Sequence, residues 1–165
     1  MLLQLKEVFL NEGKQLDVDY SLSMSDFELN GDYPFKSPVK ISASAVNRAS
    51  LVELKVKAVF EYTTRCDRCF DDIVKQMEFT FVHGLATELI DDENDDYIET
   101  PDYTLELDEV VISDIILNLP SKMLCKEDCK GICPKCGKNL NLGDCTCDKK
   151  QVDSRLEILK QLIDD

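Results

Sequence analysis

Eight cysteines constrain this chain of 165 residues more than any other feature, because of where they fall. Cys66 and Cys69 stand apart as C-D-R-C. Cys125, Cys129, Cys133, Cys136, Cys145 and Cys147 crowd into 23 residues, C-K-E-D-C-K-G-I-C-P-K-C-G-K-N-L-N-L-G-D-C-T-C. That stretch is rich in Gly, Asn and Lys and has no apolar period, so a hydrophobic core cannot order it. Something other than burial must do so, and the thiols are the candidates.

Disulfides form in oxidising compartments. Lys6 and Glu7 interrupt what would be the apolar centre of a leader in M-L-L-Q-L-K-E-V-F-L, so no signal peptide is expected and the chain is placed in the cytoplasm. No apolar run approaches the roughly 20 residues of a membrane span. Metal ligands or redox thiols are then the live alternatives.

The sharpest piece is C-P-K-C-G, Cys133 to Gly137. Two sulfurs at this spacing bind one ion from a tight turn, and the following Gly permits the positive φ that aims backbone N–H groups at the thiolates. This is a zinc-ribbon-like knuckle, and it needs a second pair to close a tetrahedron. Two partitions are open. In one, Cys133, Cys136, Cys145 and Cys147 form one four-cysteine zinc site, while Cys66, Cys69, Cys125 and Cys129 form another. In the other, a single site uses Cys129, Cys133, Cys136 and one of Cys145 or Cys147, since C-T-C is a cramped pair for one ion. Either way, four thiolates leave no open position for water or substrate, so the one or two zinc ions are structural. A redox reading of Cys66 and Cys69 is weaker. Reactive C-x-x-C pairs open a helix, and here a strand pattern, Ile73 to Phe81, follows.

Charge is as uneven as the cysteines. Acids outnumber bases 33 to 19, a formal charge of −14. Residues 61–124 hold 17 of those acids and 4 of the bases, and no Lys or Arg occurs between Gln76 and Ser121. Such a field excludes a phosphate-neutralising coat over the whole molecule and attracts a basic partner instead. The densest run, D-D-E-N-D-D, puts Asp91, Asp92, Glu93, Asp95 and Asp96 forward as a docking strip. A calcium loop fails there, because Asp96 stands where the turn needs Gly and Asp102 where Glu is needed. The tail is neutral and offers Lys126, Lys130, Lys135 and Lys138 for local contact with RNA phosphate.

Period-2 alternation over Val39–Ala45 and Leu54–Tyr62 predicts two half-buried strands joined as a hairpin, and Met77–Phe81 a third. Tyr103, Leu105 and Leu107 read as a shorter fourth, with Leu2–Val8 and Leu16–Leu22 as edge strands. A helix is expected from an N-cap at Asp108, with Val111, Ile115 and Leu119 on one face, stopped by Pro120. A second helix follows Asp153. The fold class is therefore α+β, mainly antiparallel β (an open barrel or curved sheet), with one or two helices. Residues 1–124 form the β domain and 125–165 the cysteine-rich metal-binding tail.

Nothing points to catalysis. His83 is the only histidine and lies in a strand pattern beside Phe81 and Leu85, where a packed, hydrogen-bonded imidazole is expected. The six glycines form no phosphate loop.

C-D-R-C after a long strand, the acidic stretch, I-L-N-L-P at a helix end, D-C-K-G-I-C-P-K-C-G-K-N-L-N and D-S-R-L-E-I-L-K together resemble the YceD-like family of bacterial and plastid proteins, over about Leu54 to Leu162. The resemblance implies a non-enzymatic, cytoplasmic factor in accumulation of large-subunit ribosomal RNA and in ribosome assembly. It implies no catalytic residues, no membrane and no small-molecule substrate. In bacteria of this family the gene often neighbours that of a small, basic large-subunit ribosomal protein, so such a protein or a precursor ribosomal particle is the expected partner. The alternatives are a thiol-based redox sensor using Cys66 and Cys69, and a zinc-stabilised adaptor unrelated to ribosomes.

Overall fold

The structure is a computed structural model that describes residues 1–88 and 97–147. The acidic run Asp91–Asp96 and the helix expected after Asp153 lie outside the described residues. The described elements are β1 (Leu2–Gln4), α1 (Lys6–Leu10), β2 (Gln15–Leu22), β3 (Val39–Arg48), β4 (Leu51–Arg65), β5 (Asp72–Ala86), β6 (Tyr97–Glu99), β7 (Thr104–Glu106) and α2 (Leu107–Asn118). The class is α+β and mainly sheet. Five strands in the order β2-β3-β4-β5-β6 curl into a half-barrel, and β1 pairs with β7 in a separate two-stranded ribbon.

The alternating runs become strands as their period dictates. Val39, Ile41, Ala43 and Ala45 of β3 and Val52, Leu54, Val56, Ala58, Phe60 and Tyr62 of β4 are buried on the inner face. Their register, Ala43 opposite Val56 and Ala45 opposite Leu54, aligns the two apolar sets. The β3–β4 turn needs two residues with positive φ, and Ala49 (φ 50°) and Ser50 (φ 67°) supply them. β4 and β5 form a hairpin of two 15-residue strands, from Val52 opposite Leu85 to Arg65 opposite Asp72. At about 3.3 Å per residue it is roughly 50 Å long, and its far turn is tied to Met123, shortly after the end of α2.

The helix α2 lies across the inner face of the half-barrel with Leu107, Val111 and Ile115 fully buried. Polar ties hold it to both flanks of the sheet. The Tyr20 hydroxyl on β2 donates to Asp108 at 2.6 Å, and His83 Nε2 on β5 lies 2.8 Å from Asp114 Oδ2. His83 is thus the packed, hydrogen-bonded imidazole expected.

Three local expectations shift. The N-cap of α2 is Glu106 rather than Asp108, which sits in the first turn and is occupied by Tyr20. The helix stops at Asn118, because Pro120 forces Leu119 into an extended conformation (ψ 135°). Leu2–Val8 is not one strand. Leu3 packs from β1, but Leu5 and Val8 are buried with helical spacing and Val8 N–H donates to the Leu5 carbonyl. The buried Asn47 amide then holds the carbonyls of Val8 and Phe9 at the end of α1.

Candidate metal centres

The far turn of the β4–β5 hairpin is C-D-R-C-F-D. The Cys66 N–H donates to the Asp71 carbonyl and the Phe70 N–H returns to the Cys66 carbonyl, which closes a compact knuckle. Phe70 occupies its left-handed corner (φ 62°) and is 61% exposed. In the second knuckle, C-P-K-C-G, the same corner is taken by Gly137 (φ 71°), and Gly137 N–H donates to the Cys133 carbonyl. The two C-x-x-C turns are therefore built alike, one on a strand hairpin and one in the tail.

The tail docks on the first knuckle through its backbone. Asp67 N–H donates to the Met123 carbonyl and Ile132 N–H to the Arg68 carbonyl, while Arg68 Nη1 donates to the Cys129 carbonyl at 2.9 Å. Gly131, at φ 72°, lets the chain pass close to Arg68, where a Cβ would sit 2.9 Å from the Arg68 carbonyl oxygen. This docking brings Cys125 and Cys129 onto Cys66 and Cys69.

The four sulfurs of Cys66, Cys69, Cys125 and Cys129 lie within 4.8 Å of one another, and so do those of Cys133, Cys136, Cys145 and Cys147. Cys66 Sγ is 3.8 Å from Cys129 Sγ, and Cys69 Sγ is 3.5 Å from Cys125 Sγ. A disulfide is about 2.05 Å long. Four sulfurs at about 2.3 Å from one tetrahedral ion stand about 3.8 Å apart. The spacing fits metal ligands rather than disulfides, and all eight cysteines are free. Of the two partitions that spacing left open, the geometry takes the one with two tetrads, and Cys129 belongs with Cys66.

The electrostatics of the sulfurs agree with that geometry. Burial pushes the Cys66 thiol up, but the N–H groups of Arg68, Cys125 and Cys69 outweigh it and draw it down to about 6. The Asn141 amide holds Cys129 low as well. The N–H groups of Cys136 and Lys135 lower Cys133 to about 6. Their neighbours move the other way. The Asp71 N–H favours the Cys69 thiolate, yet burial, the Cys66 sulfur and the Asp71 carboxylate together drive that thiol far up. Burial raises Cys125, and the Cys136 sulfur pushes Cys147 up to about 12. Each tetrad accepts negative charge readily at part of its sulfurs and resists it at the rest. A divalent cation at the centre removes that resistance.

The knuckle lysines are solvent-exposed. Lys126 Nζ is 3.9 Å from Asp128, and Lys138 Nζ donates to the Asp144 carbonyl at 2.8 Å, bracing the loop that carries Cys145. Sequence reasoning assigned no role to Asn141, whose amide donates to Cys129 Sγ, or to Asn139, whose amide donates to Asp71 beside the first tetrad. The only signal was the N-L-N that follows the second knuckle.

Residues 54–163, which span both tetrads, match the family described as large ribosomal RNA subunit accumulation protein YceD. The chain belongs to the YceD family. A Bacillus subtilis relative, the uncharacterised protein YlbN, is 26% identical over 91% of this chain and 89% of its own length. The large ribosomal RNA subunit accumulation protein YCED homolog 1, chloroplastic, of Arabidopsis thaliana is 28% identical over 74% of this chain. An uncharacterised Mycobacterium tuberculosis protein is 25% identical over 67%. The chain spans only 47% of the Arabidopsis protein and 62% of the mycobacterial one. No solved structure matches it. Among the described residues, no helix is long and apolar enough to cross a membrane.

Proposed function

We propose that this YceD-family chain is a non-enzymatic cytoplasmic factor in the accumulation of large-subunit ribosomal RNA, acting in ribosome assembly. The observation that carries the reading is the family match, which runs through the long hairpin and both cysteine tetrads. In this reading each tetrad holds one structural zinc ion. Cys66, Cys69, Cys125 and Cys129 bind one, and Cys133, Cys136, Cys145 and Cys147 the other. Each ion neutralises crowded thiolates and fixes a segment that has no apolar core of its own. Residues 1–124 form the sheet domain, and 125–165 the tail that metal orders.

The acidic strip, Asp91, Asp92, Glu93, Asp95 and Asp96, serves as the docking surface for a basic large-subunit ribosomal protein or a precursor particle. Lys126, Lys130, Lys135 and Lys138 make any contact with ribosomal RNA, and that contact is local. Against a redox role, Cys66 is fully buried among the sulfurs of its tetrad, so its lowered pKa lacks the access that reactive thiols need.

Depletion of the protein in cells is the test. Large-subunit rRNA should fall relative to small-subunit rRNA, and an unchanged ratio refutes the assignment. Affinity capture of the native protein across a salt series should retain a small basic ribosomal protein at low salt and lose it as salt rises. Thiols that react with a labelling reagent before any chelator is added would favour the redox alternative.

A further inference from the structure

On the reading that both tetrads hold metal, we propose that Asn139 and Asn141 couple the two centres, so that filling the Cys133–Cys147 centre tightens metal binding at the Cys66–Cys129 centre. The second knuckle is the turn of a small hairpin. Ile132 pairs with Asn139, Cys133 N–H donates to the Lys138 carbonyl, and Leu140 N–H donates to the Gly131 carbonyl. The returning strand of that hairpin is Asn139-Leu140-Asn141, and it is turned toward the other centre.

Asn141 bonds to the first tetrad, and Asn139 holds Asn141 and the neighbouring Asp71. Asn141 Nδ2 donates to Cys129 Sγ at 3.3 Å, while its Oδ1 accepts the Lys130 N–H at 2.9 Å, next to that ligand. Asn139 Nδ2 donates to Asp71 Oδ2 at 2.8 Å, and the same carboxylate oxygen lies 3.2 Å from Cys69 Sγ. Asn141 also donates twice to Asn139 Oδ1, from its backbone N–H and its amide, both at 2.9 Å. The two side chains thus form one unit that donates directly to a sulfur from the tail, Cys129, and holds the Asp71 carboxylate, which accepts from Cys69 only while that thiol keeps its proton. Hydrogen bonds of this kind orient ligands, and losing one commonly costs 10–100-fold in metal affinity.

Ligand spacing sets the order of filling. The Cys133–Cys147 ligands lie within one short stretch, so its loop closes at little entropic cost. The Cys66–Cys129 centre joins residues 63 positions apart and depends on the tail being docked. Metal in the local centre holds the hairpin in the shape that presents Asn139 and Asn141. By linkage, metal in the sheet-borne centre strengthens the local one by the same factor.

The test uses the full chain under reductant, titrated with cobalt(II). The visible ligand-field and sulfur-to-metal charge-transfer bands report each centre, and a competing chelator of known affinity gives the constants. The wild-type chain should take up two ions. Cys133→Ser combined with Cys136→Ser should weaken the remaining centre 10–100-fold. Asn141→Ala, which keeps all eight thiols, should weaken that centre comparably and shift its charge-transfer band. Adding the cysteine pair to Asn141→Ala should cause little further loss, the non-additivity expected of one shared connection. Leu142→Ala, next along the chain but exposed, should change nothing. Two ions with an unaltered first centre in Asn141→Ala overturn the coupling and leave the metal assignment standing. A wild-type chain that binds no metal overturns both.

Discussion

Replacing Gly131 by Ala tests the docking of the tail on the first knuckle, and Gly137 supplies its control. The two glycines have nearly the same backbone, φ +72° and +71°. An alanine forced into that left-handed conformation costs about 1–2 kcal/mol wherever it occurs. At Gly137 nothing lies within 4 Å of the added Cβ, so that cost is the whole effect. At Gly131 the methyl would sit 2.9 Å from the Arg68 carbonyl oxygen and 3.5 Å from Arg68 Cβ. The obstacle is backbone, in a turn fixed by Cys66 and Cys69, and it cannot swing aside. The tail must retreat, and the Ile132 N–H to Arg68 carbonyl bond opens with it, for roughly 1 kcal/mol more. Gly131→Ala should therefore cost about 2–3 kcal/mol and Gly137→Ala about 1–2. Denaturant unfolding of the metal-loaded variants measures both. Metal release to a chelator should be faster from the Cys66–Cys129 centre of Gly131→Ala than from wild type. Equal costs at the two glycines would refute the close approach at Arg68.

Three further outcomes follow from the same structure. Phe70→Gly removes a mostly exposed side chain from a left-handed corner, and thermal unfolding should show a gain of about 0.5–1 kcal/mol; a loss would mean that the ring contributes packing here. Ile115→Ala hollows the fully buried contact between α2 and the sheet and should cost about 2–5 kcal/mol in denaturant unfolding. A chelator, or acid strong enough to protonate the bound thiolates, should release the metal, because the ligands must be deprotonated to hold it. Hydrogen exchange should then rise across 125–147 while β3 and β4 stay protected.

The parts of the fold that are legible in the sequence are those whose residues report their own environment. β3 and β4 alternate because one face is buried along their whole length, and α2 shows its stripe through Val111 and Ile115. In β5 the alternation is clearest over Met77–Phe81, with a weaker strand pattern from Ile73 and on to Leu85, and the strand runs from Asp72 to Ala86. Its ends carry Asp72, Lys75 and Gly84, and they are strand because β4 pairs with them. β6 has three residues and exists through its parallel pairing with Gly84–Ala86, a contact that no local pattern announces. The metal centres divide in the same way. Both C-x-x-C turns are local and visible in the sequence. Which pair joins which depends on the backbone bonds from Asp67 and Arg68 to Met123, Cys129 and Ile132, and those belong to tertiary structure.

The cysteines also alter the charge that the composition suggests. The formal count of −14 leaves every thiol neutral. An ion of charge +2 held by four thiolates contributes −2, so two filled centres bring the chain to −18. That added charge lies in the tail and the first knuckle, where the lysines also lie. Lys126, Lys130, Lys135 and Lys138 face solvent beside sites that would each carry −2 when filled, which would weaken the field they offer to an RNA phosphate. The basic surface proposed for contact is therefore diminished by metal, while the chain as a whole becomes more acidic. Metal loading should therefore raise the affinity for a basic protein at low salt and should not raise that for RNA. Binding of apo and loaded protein to a basic ribosomal protein and to an rRNA fragment separates these cases, and tighter RNA binding on loading would reverse the order of the two surfaces.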